Sequence, residues 1–262
     1  PWFPLSLGVS AGREHHRNVL CHRLARHYRY GMTTVLLVRH GRTSANEKGI
    51  LAGTAPGTDL DARGIEQAHT LASELEGMEI SAIVSSPLER TMQTAQALAA
   101  TVVSKGGGSL EITQEPMLLE CEYGDWTGRS LSELVTEDLW KSVQNHPSSV
   151  VFPGVDGESL PNMQQRAVSA IRRWNDLLGP EAVYIAVSHG DVIKAILADA
   201  LGMHLDLFQR IGADPASVSV INYTPGRPFV LSSNGSGADA RRHVNVSHKI
   251  KDDAPVGGGS GD

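Results

Sequence analysis

The chain of 262 residues is poor in cysteine, in aromatic side chains and in positive charge, and it has no long apolar run. Two cysteines, Cys21 and Cys121, cannot build a disulfide framework, so a reducing, cytoplasmic setting is expected. No apolar stretch approaches the ~20 residues that a membrane-spanning helix needs, which argues against a membrane partner. Lys and Arg number 23 against 29 Asp and Glu, a net charge of -6. Nucleic-acid binding wants a basic face, so that class is not expected either. What is present is ordinary globular composition, 40% hydrophobic and 20% charged, on a chain long enough to bury a sizeable core.

The charge is unevenly spread. Residues 1–31 hold five arginines and one acid, residues 232–262 balance four bases with four acids, and the stretch between holds fourteen bases and twenty-four acids. An acidic body that handles an anionic ligand must gather its few arginines in one place. Residues 1–31 show no strand or strong helix pattern. Their histidines, His15, His16, His22 and His27, form no His-x3-His pair and are joined by no paired-cysteine motif, so no metal site is expected there. A disordered basic extension is expected there, with Met32 as a natural start. Residues 232–262 are rich in Ser, Gly and Asp and end in GGGSGD. They are expected to be a flexible tail. Residues 32–231 are left as one domain.

Within that domain strand and helix patterns alternate. Val35–Val38, Ala82–Val84 and Ala182–Val187 are short continuous apolar runs, as strands buried on both faces would be. Leu110–Thr113, 217–223 and 228–232 read as further strands. Ile65, Ala68, Leu71, Ala72 and Leu75 fall at helical spacing, so 61–77 reads as a helix closed by Gly77. Ser86-Pro87-Leu88-Glu89 carries the start signals of another, with Ser86 as its N-cap. Residues 130–145, 159–178 and 191–201 complete the helices. This alternation predicts an α/β fold, a three-layer α/β/α sandwich around a mostly parallel central sheet.

In such sheets ligands bind beyond the carboxyl ends of strands. Two predicted strands end in His-Gly: Arg39-His40-Gly41-Arg42-Thr43 and Ser188-His189-Gly190. A third runs into Ser85-Ser86-Pro87-Leu88-Glu89-Arg90. Neighbouring strands lie ~4.8 Å apart, so Arg39, His40, Arg90 and His189 can converge. Two guanidinium forks and two imidazoles suit a tetrahedral dianion. A neutral imidazole can attack phosphorus and hold the phosphoryl group covalently, and flanking Arg charges keep it neutral. Its second ring nitrogen needs an orienting acceptor, for which a backbone carbonyl next to Gly41 serves. The leaving alcohol then requires a carboxylic acid opposite. Glu115, Glu120 and Glu122 all compete for that role.

Leu37-Val38-Arg39-His40-Gly41 with Thr43 and Asn46 resembles the signature of the histidine phosphatase superfamily, the phosphoglycerate-mutase-like proteins. Within it the chain looks most like the phosphomutase-like proteins of actinobacteria. The likeness extends over Ser86-Pro87-Leu88-x-Arg90-x-x-Gln93-Thr94-Ala95, Leu118-x-Glu120-x-x-x-Gly124-x-Trp126-x-Gly128, Gly157-Glu158-Ser159 and Ser188-His189-Gly190. These motifs span about 34 to 231, in family order. The resemblance implies a phosphoglycerate mutase-like fold and a catalytic set of His40 as phosphorylated nucleophile, Glu120 as proton donor and His189. It implies phosphate binding by Arg39, Arg90, Asn46, Thr43 and Gly41, and a structural role for Glu158 and Arg166. Gly53–Leu60 replaces a shorter family pattern, and Asp191 stands where a second glycine is frequent. Both departures bear on the substrate.

Several residues read as structural instead: His69, His146, His204, Trp126, Trp140 and Trp174. Cys121 lacks the context of a nucleophile. The expected function is hydrolysis of a small phosphorylated metabolite through a phosphohistidine. A phosphoglycerate mutase-type phosphomutase is the alternative, and a non-catalytic phospho-ligand-binding protein a second. Sugar-phosphate mutases of this group carry extra helical segments over the substrate, and 94–120 offers only a Gly-rich loop and a short strand. No metal or other cofactor is expected, because the Arg/His clamp supplies the positive charge. Homodimerisation is left open.

Overall fold

The computed structural model describes residues 32–247, with side chains through Asn245. The expected N-terminal arm and residues 248–262 lie outside the described residues. In chain order the elements are β1 (Thr33–Arg39), α1 (Ser44–Glu47), α2 (Ala62–Glu74), β2 (Glu79–Ile80), β3 (Ala82–Ser85), α3 (Glu89–Ala99), β4 (Val103–Ser104) and β5 (Ile112–Gln114). They continue with α4 (Leu131–Leu134), α5 (Asp138–Asn145), α6 (Leu160–Leu178), β6 (Val183–Ser188), α7 (Gly190–Ala200), β7 (Val218–Tyr223), β8 (Pro228–Gly235) and α8 (Gly237–Ser247).

Six strands form the main sheet in the order β5-β3-β6-β1-β7-β8. The first four run parallel, while β7 is antiparallel to β1 and β8 to β7. The apolar runs behave as strands covered on both faces, since alternate side chains enter two different cores. Val35, Leu37, Val84, Tyr184 and Ala186 pack with α6 and α7. Leu36, Val38, Ile83, Ile185 and Val187 pack with α2, α3 and α8. That is the three-layer sandwich with a mostly parallel sheet. Among the described residues no helix is long and apolar enough to cross a membrane.

The structure departs from the sequence reading in four places. The tail does not begin at 232, because β8 runs to Gly235 and α8 follows it. Ser236 and Asp239 cap α8 reciprocally: the Ser236 N–H donates to Asp239 Oδ2 (3.1 Å) and the Asp239 N–H to Ser236 Oγ (3.2 Å). Ala240 and Val244 then bury one side of the helix. Average composition concealed this local signal. The helix expected over 130–145 is two helices, separated where Thr136 Oγ1 donates to the Glu133 carbonyl (2.7 Å) and competes with helix propagation. A small parallel pair, β2 with β4, was not anticipated; each strand is only two residues long. Finally, α3 starts at Glu89 with Leu88 at its N-cap and no side-chain cap. Ser86 is engaged elsewhere.

Candidate active site

The register of three strands assembles the site. On β6, Ser188 lies opposite Arg39 of β1 and Val187 lies opposite Ser85 of β3. The residues that follow, His40, His189 and Ser86, therefore leave the sheet side by side. The rings of His40 and His189 stand edge to face, with centroids 5.2 Å apart. Arg90, in the first turn of α3, is 2% exposed.

Each group is fixed from behind. His40 Nδ1 lies 2.7 Å from the Gly41 carbonyl; a carbonyl only accepts, so Nδ1 carries the proton and the lone pair is on Nε2. His189 Nε2 lies 2.8 Å from Ser86 Oγ. Arg90 Nη2 donates to the Gly53 carbonyl (2.7 Å) and Arg39 Nη1 to the Ala213 carbonyl (2.6 Å). Three buried nitrogens of these four side chains have no hydrogen-bond partner among the described residues: Arg39 Nε, Arg90 Nη1 and His189 Nδ1. Buried polar groups are ordinarily paired, so unpaired nitrogens on this cluster suit an anion. His189 is also the N-cap of α7, whose positive end adds to the attraction.

A cavity of about 190 Å³ opens on this cluster. Arg39, His40, Thr43, Asn46, Arg90 and Glu120 all line it, as do Tyr123, Asp191 and Lys194. Gly41 does not. Its N–H donates to Thr94 Oγ1 (3.1 Å), which in turn donates to the Arg90 carbonyl (2.8 Å). A Cβ at Gly41 would come within 2.5 Å of the Gly64 carbonyl oxygen on α2. Gly41 thus supplies close approach and an orienting carbonyl, in place of the phosphate contact expected of it. Thr43 and Asn46 cap α1 reciprocally through Asn46 Oδ1 and Thr43 Oγ1. The Asn46 amide NH2 is the part of that pair left to face a ligand.

The competition among carboxylates is resolved by tertiary contacts. Glu115 accepts from Trp174 Nε1 (2.8 Å) and pairs with Arg173. Glu122 is exposed. Glu120 faces the cavity, its Oε1 accepting the Cys121 N–H (3.0 Å). Arg166 holds this loop. It forms a two-pronged pair with Glu158 (2.7 and 2.8 Å) and donates to the carbonyls of Met117, Leu119 and Glu120. Ser188 Oγ adds a bond to the Leu118 carbonyl (2.8 Å).

Electrostatics give the groups different protonation states. Burial, then the charges of Arg90 and Arg39, hold the His40 imidazole well below its ordinary range. Burial and Arg90 do the same to His189. Burial and the Asp191 carboxylate push Glu120 up to about 7, against the pull of Arg90. Near neutral pH the site thus holds a neutral imidazole with a free lone pair and a carboxyl that retains a proton part of the time. Burial drives the Cys121 thiol far up, consistent with a packing role.

The sequence reading did not find Ser86, Thr94, Tyr123 or Lys194 as parts of the site. Tyr123 Oη donates to Asp191 Oδ2 (3.0 Å), and Lys194 Nζ lies 3.3 Å from Asp191 Oδ1. Ser86 and Thr94 stood in a family motif without a role in the site, and for Tyr123 and Lys194 the forewarning was the unusual Asp191. Of the residues read as structural, Trp126 is buried and stacks on Trp140, and Trp174 anchors Glu115.

Comparison with known proteins agrees with this geometry. Residues 35–235 match the histidine phosphatase superfamily (branch 1). The chain is 33% identical over 211 residues to phosphoserine phosphatase 1 of Hydrogenobacter thermophilus, covering 78% of this chain and 92% of that protein. It is 28% identical over 215 residues to the 2,3-bisphosphoglycerate-dependent phosphoglycerate mutase of Thermoplasma acidophilum, covering 82% and 100%. Among solved structures, the alpha-ribazole phosphatase of Shigella flexneri superimposes with a TM-score of 0.65 at 28% identity, covering 77% and 96%. With the family match running over residues 35–235, and with His40, Arg39, Arg90 and Glu120 lining one cavity, the chain belongs to the histidine phosphatase superfamily.

Proposed function

We propose that the protein is a phosphohydrolase of small phosphomonoesters that works through a phosphohistidine at His40. The observation that carries this reading is the meeting of a neutral, oriented His40 with unpaired nitrogens of Arg39, Arg90 and His189, in a site whose cavity is also lined by Glu120, a carboxyl that keeps a proton part of the time near pH 7. His40 Nε2 forms the bond to phosphorus as the ester P–O bond breaks. Glu120 delivers its proton to the departing alkoxide. Arg39, Arg90 and His189 stabilise charge on the equatorial oxygens. Water then attacks the phosphohistidine, its proton passes to the Glu120 carboxylate, and phosphate leaves with His40 neutral again. Thr43 and Asn46 contribute at the cavity wall, Asn46 through its amide. Paucity of cysteine supports a cytoplasmic location, where small phosphorylated metabolites are at hand.

The test is phosphate release from an aryl phosphate and from alkyl phosphates by purified protein. An acid-labile phosphoprotein should be trapped on rapid quenching and be absent from His40→Ala. Wild-type protein that releases no phosphate, or a His40→Ala variant that turns over as wild type does, overturns the reading. Transfer to a second hydroxyl uses the same intermediate, and the likeness to a phosphoglycerate mutase keeps that reading in view. Water is favoured as acceptor because 100–119 adds only short strands, a Gly-rich loop and a single 3-10 turn, and α4, whose Leu131 lines the cavity, is only four residues long. Isomer formation stimulated by a bisphosphorylated primer would reverse that preference.

A further inference from the structure

The cavity has a second charged pole, tied to the phosphoryl chemistry only through the push that the Asp191 carboxylate gives Glu120. Asp191 and Lys194 lie one turn apart on α7, and both line the cavity. Their side chains are 23% and 20% exposed. Each is held in place by a further group. Asp191 accepts the Tyr123 hydroxyl, and Lys194 Nζ reaches Gln209 Oε1 (3.2 Å). Desolvating an ion pair this far costs free energy that a mere surface pair would not incur. Neither partner is saturated. Lys194 has three N–H donors and two acceptors, and each Asp191 oxygen keeps a lone pair.

Charge counting narrows what this pole can meet. Among the residues lining the cavity, Arg39, Arg90 and Lys194 are positive and Asp191 is negative. With Glu120 protonated, as proton donation requires, and the His40 imidazole neutral, the lining is doubly positive. A phosphate dianion neutralises it. The rest of the substrate must then carry no net charge, or one like charge is left in a half-closed cavity. A neutral polyol would need only neutral partners. An anionic alcohol would leave Asp191 facing a carboxylate. A small alcohol with both an ammonium and a carboxylate fits both requirements, placing one charge on each member of the fixed pair.

Resting on the hydrolase reading above, we propose that Asp191 and Lys194 are specificity-determining residues that select the phosphomonoester of a zwitterionic alcohol, an amino-acid phosphate. Asp191 receives the ammonium and Lys194 the carboxylate. Tyr123 and Gln209 are positioning residues that hold the carboxylate and the ammonium of this pair in place at the cavity wall.

The experiment compares kcat/KM for four alkyl esters that differ only in what the alcohol carries: phosphoserine (both charges), phosphoethanolamine (ammonium), phosphoglycolate (carboxylate) and glycerol phosphate (neither). An aryl phosphate serves as the common reference. Wild-type enzyme is expected to prefer phosphoserine over glycerol phosphate by about tenfold or more. Asp191→Asn should lower the phosphoserine-to-phosphoglycolate ratio by about tenfold, and Lys194→Gln the phosphoserine-to-phosphoethanolamine ratio by a similar factor. Ratios cancel any general loss of folded or active protein. Ratios that stay at wild-type values in both variants, or a wild-type preference for phosphoglycolate or glycerol phosphate, overturn the assignment. Failure to turn over even the aryl phosphate would instead strike the hydrolase reading itself.

Discussion

At the scale of single residues, two groups in one cavity hold their protons in opposite ways. His40 is kept neutral far into mild acid, whereas Glu120 keeps a proton up to about pH 7. In the proposed mechanism, activity on an alkyl phosphate needs His40 unprotonated and Glu120 protonated. It should therefore fall as pH rises through about 7, and fall again in acid, below the ordinary histidine range. A pH profile of kcat that keeps its alkaline fall in Glu120→Gln would contradict the assignment. The same variant should lose about 10²–10⁴-fold on alkyl esters and far less on a nitrophenyl ester, whose leaving group needs no proton. The hydrogen bond from His40 Nδ1 also fixes regiochemistry: phosphorus-31 spectra of the trapped protein should show only the Nε2-linked isomer. Much of this constellation was legible in sequence, because Arg39, His40 and His189 follow apolar runs at which a strand must end and Arg90 lies in the first turn of the helix that follows a third such run. Glu120 was not legible from local sequence alone. Glu115 and Glu122 are carboxylates of the same short stretch, and only contacts made by Arg173 and Trp174 remove the first of them.

At the scale of elements, the site depends on groups that hold the catalytic side chains from behind. Ser86 shows how a local pattern misleads. Its place before Pro87 and Glu89 carries every sign of a helix cap, yet its hydroxyl meets His189, which lies 103 positions further along. No windowed reading can see that competition. Ser86→Ala should lower kcat by about tenfold while leaving the thermal midpoint near wild type, and Ser86→Thr should restore part of the rate. Arg166 plays the matching role for the acid loop through its bonds to Glu158 and three carbonyls. Arg166→Met should lower turnover of alkyl esters more than of a nitrophenyl ester, since it loosens the proton donor before it disturbs the nucleophile. A different failure is expected at Gly41, where any side chain meets the α2 backbone. Gly41→Ala should destabilise the fold by about 1–3 kcal/mol, visible in chemical denaturation.

At the scale of the whole molecule, the alternation of apolar runs and amphipathic helices was enough to foretell three layers. It failed at the C-terminal boundary, where β8 and α8 complete the second core. Ending the chain at 231 would strip Ala240 and Val244 from that core and leave α2 without the partner that bonds Glu74 through the Gly237 N–H (2.7 Å). Ala240→Asp, which puts a carboxylate at a position 1% exposed, should cost about 3 kcal/mol and lower the midpoint of a thermal scan by roughly 6–12 °C. A scan that superimposes on wild type would show α8 to be dispensable. The strand order has a kinetic consequence as well. The clamp joins residues 39, 90 and 189, and the sheet places β6 between its two partners. No segment that leaves the ribosome early can therefore hold a phosphate. Enzymatic competence during synthesis or refolding should arrive in one late step with closure of the central sheet, making catalysis itself a reporter of completed folding.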